Sequence, residues 1–98
     1  MIIAKVVGNV VATKKEEALL GKKLMLVSPY ANGSYSRGDL NVAVDSVGAG
    51  IGETVLIVVG SSARNTDSDS EKPIDMNIVG IVDEIEIGDE KLFSGELI

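Results

Sequence analysis

Apolar and polar positions alternate along much of this chain with the two-residue period of a β-strand. From Ile2 to Thr13 the even positions Ile2, Ala4, Val6, Gly8, Val10 and Ala12 are all small or apolar, as a core-facing row should be. The odd positions Ile3, Lys5, Val7, Asn9, Val11 and Thr13 are mixed. That is more apolar than a solvent face needs, so partial cover from elsewhere is expected. Gly8 gives this first strand a place to bend sharply, as in a small barrel. A second strand is predicted over Lys22 to Ser28, centred on Leu24-Met25-Leu26-Val27 and ended by Pro29. Leu40 to Val47 and Glu53 to Val59 form the third and fourth. Val79, Ile81, Ile85 and Ile87 alternate through a fifth, although Asp83 breaks the pattern, and Lys91 to Ile98 has room for a short terminal strand.

The connections carry their own signals. Thr13-Lys14-Lys15-Glu16 fits a capping box before Glu17-Ala18-Leu19-Leu20, with Gly21 as the stop. A helical turn or two is permitted there, and so is a plain loop. Tyr30 to Gly38 is a loop by composition. Ser61 to Pro73, SSARNTDSDSEKP, is a low-complexity polar segment expected to form a mobile surface loop. Beyond it, Asp75 is placed to cap a single turn. The turn Gly48-Ala49-Gly50-Ile51-Gly52 superficially suggests a phosphate cradle. Such a cradle leads from a strand into a helix, whereas Thr54-Val55-Leu56-Ile57-Val58-Val59 is rich in β-branched residues and reads as another strand. The nucleotide reading fails on that context.

Five or six short strands with glycine-rich turns predict a small five-stranded antiparallel β-barrel with a minor helical element, all of it one domain over residues 1–98. The fourth strand then raises a difficulty. Val55, Ile57 and Val59 point one way while Leu56 and Val58 point the other, and a barrel wall has a single inside. Leu56 and Val58 would face water in a monomer, beside the apolar odd positions of the first strand. Such a patch invites association; burying a few hundred Å2 contributes several kcal/mol at about 25 cal/mol per Å2. Self-association is the inference, and a short helix covering that face is the competing reading.

Composition narrows the chemistry. The chain holds 98 residues, of which 3% are aromatic, so the interior is built from Val, Ile, Leu, Ala and Met. Cysteine and histidine are both absent, which removes thiolate chemistry, the commonest general base and the commonest transition-metal ligand. No metal, cofactor or catalytic residue is expected. No apolar run approaches the ~20 residues of a membrane helix, and the N-terminal stretch lacks a basic segment. A soluble cytoplasmic protein is the expectation. The net charge of −6 is unevenly spread: Lys5, Lys14, Lys15, Lys22 and Lys23 fall in the first quarter, and Asp83, Glu84, Glu86, Asp89, Glu90 and Glu96 crowd the end against Lys91. This is either a solvated surface or a pair of complementary faces between neighbouring subunits. An acidic chain with three aromatic rings is poorly suited to nucleic acid.

Several segments, taken in order, resemble the EutN/CcmL family: Val10-Val11-Ala12-Thr13-Lys14, Leu20-Gly21-Lys22-Lys23-Leu24, Val42-Ala43-Val44-Asp45, Gly48-Ala49-Gly50-Ile51-Gly52-Glu53, Gly60-Ser61-Ser62-Ala63-Arg64 and Ile81-Val82-Asp83. Each piece alone is weak, but the ordered set is specific and spans nearly the whole chain. Members of this family are the pentameric vertex proteins of bacterial microcompartment shells. The resemblance implies an OB-like barrel closing into a homopentamer, placed among hexameric shell tiles and located in the shell within the cytoplasm. A ring of copies would also cover the second apolar face.

Candidate sites follow, each with a plainer alternative. Gly48, Ala49, Gly50 and Gly52 either make a tight strand connection with positive-φ glycines or approach a five-fold axis and border a pore. Ser61 and Arg64 form an anion-binding nest, a subunit contact, as the resemblance implies, or a solvated loop. With Leu56 and Val58 they make up the expected subunit interface. Asp45, Glu53 and Asp83 are isolated carboxylates better suited to turns or surface than to acid–base work. The principal rival is an OB-type binding module for nucleic acid or oligosaccharide, and an enzyme comes third.

Overall fold

The computed structural model describes residues 1–13, 15, 17–31, 34–35, 39–60 and 75–94. Eight strands are present: β1 (Ile2–Val10), β2 (Lys23–Ala31), β3 (Ser34–Tyr35), β4 (Asn41–Asp45), β5 (Thr54–Val59), β6 (Met76–Ile81), β7 (Glu84–Ile87) and β8 (Glu90–Ser94). Five of them close a barrel in the order β1-β5-β6-β4-β2 and back to β1. Closure removes the open sheet edges on which strands otherwise aggregate. Four of the five pairings are antiparallel, as expected. The fifth, β4 against β6, is parallel, so the barrel is mixed and not wholly antiparallel. The cause is topological: β6 arrives after a long excursion and enters the gap between β4 and β5 running alongside β4.

The barrel interior is aliphatic. Ala4, Val6, Met25, Val27, Ala43, Ala49, Val55, Ile57 and Ile78 are buried together, with Ile2, Val59 and Met76 packed against them. The even positions of β1 face inward as predicted only as far as Val6. A bulge between Val6 and Gly8 shifts the register, pairing Val6 with Val27 but Gly8 with Leu26 and Val10 with Leu24. Because paired residues share a face, a one-residue slip reverses the pattern. Gly8 and Val10 therefore lie on the outer face. Gly8 does mark the irregularity, although the row beyond it turns outward.

Other boundaries differ from expectation for local reasons. Strand β2 runs through Pro29, which pairs with Ala4, to Ala31. The β2–β4 ladder has already ended at Val27 and Asn41, and a strand tolerates proline at such an edge. Tyr30 and Ala31 then pair with β3 in a short hairpin, where a loop was expected. The single expected fifth strand is two, β6 and β7, separated at Val82 and Asp83, where the Val82 N–H donates to the Thr54 carbonyl (2.8 Å). Asp75 caps no turn; its carbonyl accepts the Gly60 N–H (2.8 Å) just before β6 begins. The permitted helical turn is a single 3-10 turn, Glu17–Leu19, ended by Gly21 at φ 79°. Glu16 of the capping box lies outside the described residues, as does the expected mobile loop from Ser61 to Pro73. Strands β7 and β8 form a separate two-stranded sheet.

Candidate functional site

Two features on the barrel carry the functional argument: the turn from Asp45 to Glu53 and the outer apolar face. The turn is held by side chains at both ends. Asp45 Oδ1 accepts the N–H groups of Val47 (3.0 Å) and Gly48 (3.1 Å), while Oδ2 lies 3.9 Å from Lys23 Nζ. The same ammonium donates to the Ala49 carbonyl (3.1 Å). Asp45 is 1% exposed at its side chain, so a carboxylate that looks isolated in sequence is enclosed by its own turn. At the far end Glu53 Oε1 accepts the Gly50 N–H (2.6 Å), and the Glu53 N–H returns to the Gly50 carbonyl (3.2 Å). Gly52 donates to the Val6 carbonyl (2.8 Å), and Val6 donates to that of Glu53 (2.9 Å), lashing the turn to β1.

Gly48 and Gly52 take φ of 81° and 96°, while Gly50 does not enter the left-handed region. The first two are therefore required by the turn. Ala49 is fully buried in the barrel core. Its neighbour Ile51, absent from the expected site, is 60% exposed at the tip. The missed signal was its position between two glycines of a tight turn, which leaves a side chain nowhere to fold back.

The outer face of β5 is apolar, as the alternation required. Leu56 pairs with Ile3 on β1 and Gly80 on β6, and Val58 pairs with Asn77. Val58 is half covered, since it packs on buried Val44 together with Leu24 and Leu19 of the 3-10 turn. The short helical cover therefore exists over Val44, Leu24 and Val58, and Leu56 is not part of it. Leu56 and Leu26 remain half-buried, each beside a glycine, Gly80 and Gly8 respectively, whose missing side chains leave low ground next to them. Val42 continues the Gly8–Leu26 row and is exposed, as are Leu40, Val47 and Ile81. Ser61 and Arg64 lie outside the described residues. Asp83 is exposed between β6 and β7.

Polar groups inside are accounted for. Ser28, Thr54 and Asn77 are buried, Asn77 Oδ1 accepts the Ser46 hydroxyl (2.7 Å), and among the described residues every buried side-chain polar atom has a partner. Among the same residues no group of three or more acidic side chains is placed to hold a metal ion, and no helix is long and apolar enough to cross a membrane. What the fold and its surface define is a small closed mixed barrel whose special features are a locked turn and an apolar exterior, the makings of an assembly unit.

Comparison with known proteins gives that class its family. The family described as "Ethanolamine utilisation protein EutN/carboxysome" matches residues 1–83. The chain is 52% identical over 88 residues to the bacterial microcompartment shell vertex protein PduN of Salmonella typhimurium, covering 85% of this chain and 96% of that one. The solved GrpN pentameric microcompartment shell protein from Rhodospirillum rubrum superposes with a TM-score of 0.79 at 44% identity, covering 90% of this chain and 100% of the other. The structure of Gloeobacter violaceus CcmL gives 0.89 at 33% identity over 98% and 99% of the two chains. This chain belongs to the EutN/CcmL family of microcompartment shell vertex proteins, a structural and non-enzymatic family.

Proposed function

We infer that this protein closes into a pentamer and caps the vertices of a bacterial microcompartment shell. The observation that carries the reading is the near full-length similarity to shell vertex proteins, including one whose solved structure is described as pentameric. The physics of the single chain agrees with it. Two outward rows, Ile3–Leu56–Gly80 and Gly8–Leu26–Val42, leave apolar surface outside the barrel, and repetition around a ring would hide it. A flat layer of hexagonal tiles cannot close into a polyhedron without five-fold units, so the geometry is itself the function.

The finer assignments are part of the proposal. Leu56 and Val58 sit in the contact between neighbouring copies, Ser61 and Arg64 join it, and hexameric shell tiles surround the ring. The Asp45–Glu53 turn borders the five-fold axis through Gly48, Gly50, Gly52 and Ile51. Ala49 serves that turn from inside the barrel. Co-expression with hexameric shell tiles tests the reading. With the chain present, closed polyhedral shells are expected in micrographs; without it, open or elongated bodies should form. Shells that close equally well in its absence would overturn the proposal.

A further inference from the structure

The hairpin β7–β8 is left unexplained by the barrel. It forms its own two-stranded sheet, with no ladder to the five barrel strands. An isolated two-stranded hairpin is marginally stable at best in water, and needs a third strand or a packing surface. Along β7 the residues alternate: Ile85 and Ile87 on one face, Glu84 and Glu86 on the other. Ile87 is 63% exposed, and the turn that follows ends in exposed Asp89. The result is an apolar strip on a strongly acidic arm.

The same chain carries one surface of matching chemistry. The connection between β1 and β2 exposes Val11 (88%) and Leu20 (60%), and it is bordered by Lys15, Lys22 and Lys23 against one exposed carboxylate, Glu17. The other exposed aliphatic residues around the strands are poorer seats for an acidic arm. Leu40 follows Asp39, Ile51 shares a turn with Glu53, and Ile81 leads to Asp83. Like charges facing across a contact disfavour it, and opposite charges at its rim steer it.

We propose that the β7–β8 hairpin of each copy seats its Ile85–Ile87 face on the Val11 and Leu20 connection of the next copy, with the lysines at the rim facing the hairpin's carboxylates. The occupant is a second copy of this chain, and the proposal rests on the ring inferred above. Two different complementary surfaces on one chain make a head-to-tail contact, the kind that closes into rings, whereas a two-fold dimer would require one self-matching patch. Glu86 supports the arrangement. Its pKa is raised by the hydrogen bond and the charge of Glu84 beside it, a repulsion that cations arriving from a neighbour would relieve.

A double-mutant cycle tests the contact. Ile87→Ser and Leu20→Ser replace residues already exposed in the single chain, so each should fold with an unchanged far-UV spectrum. Each should raise the concentration at which the ring half-dissociates, read by native mass spectrometry, by at least about ten-fold. The two together should do little more than either alone, because both remove the same contact. Full additivity, or no effect, would overturn the proposal. Charge reversal supplies a second arm: Glu84→Lys with Glu86→Lys weakens the ring, and adding Lys15→Glu with Lys22→Glu in the same chain restores it. The rescue must be built into one chain, because a ring of five cannot alternate two species without one mismatched junction. A wild-type chain with no five-fold mass contradicts the function inferred above. A wild-type ring indifferent to all these changes contradicts only the hairpin contact. Hairpin amides protected from hydrogen exchange only when hexameric tiles are added would assign the hairpin to the tiles and also overturn it.

Discussion

At the scale of single residues, the Asp45–Glu53 turn shows how a glycine-rich string divides into distinct tasks. Gly48 and Gly52 hold positive φ with open space where a Cβ would stand, so an alanine there meets only backbone strain. Gly48→Ala or Gly52→Ala should each cost about 1–2 kcal/mol in denaturant unfolding, and Gly50→Ala distinctly less. Asp45→Ala releases two N–H groups and the Lys23 ammonium. Since water reaches those amides, the expected loss is about 1–2 kcal/mol, with the turn amides exchanging faster. Glu86 is displaced above the ordinary carboxylate range. Its pKa is raised by Glu84, so the folded hairpin binds that proton more tightly than the unfolded chain does. The resulting stabilisation is present below the ordinary carboxylate range and is lost as pH rises through the raised value. Glu86→Gln should remove that dependence from the β7–β8 chemical shifts in an NMR titration. An unchanged titration would contradict the Glu84 coupling.

At the scale of elements, the outer face of the barrel is where sequence and packing meet most directly. Gly80 and Gly8 flank Leu56 and Leu26, and a methyl group added at either glycine would stand at ordinary contact distance, 3.7 Å from the leucine Cβ. Gly80→Val should therefore leave the barrel intact while raising the ground beside Leu56. Ring yield by size-exclusion chromatography is expected to fall while the far-UV spectrum stays unchanged. Much of the element pattern was legible: the inner face of β1 as far as Val6 follows from alternation, and β5 from its run of β-branched residues. What alternation cannot encode is a slip. The bulge after Val6 turns Val10 outward; Gly8 marks where the irregularity falls but not the register beyond it. The parallel β4–β6 pairing was equally hidden, because it depends on where a strand enters the barrel after the 61–74 excursion and not on its composition. Of the candidate site, Leu56 and Val58 were readable from the two-faced strand. Asp45 and Glu53 acquired partners only through folding, since Lys23 comes to Asp45 across the β2–β4 ladder.

At the scale of the whole molecule, the account reduces to a mismatch between surface and solvent. One barrel buries one aliphatic face, and this chain has apolar residues on the outside as well, with a hairpin besides that has no third strand among the described residues. Closing the sheet removed its edges but did nothing for its exterior. Identical neighbours arranged in a ring would cover that exterior, which is why the family's role in shells and the physics of the single chain point the same way. Native mass spectrometry of the purified wild-type chain, diluted stepwise into the low micromolar range, tests this most directly. A species of five times the chain's mass, persisting through the dilution, is the predicted result. A folded, soluble single chain as the dominant species at those concentrations would contradict it.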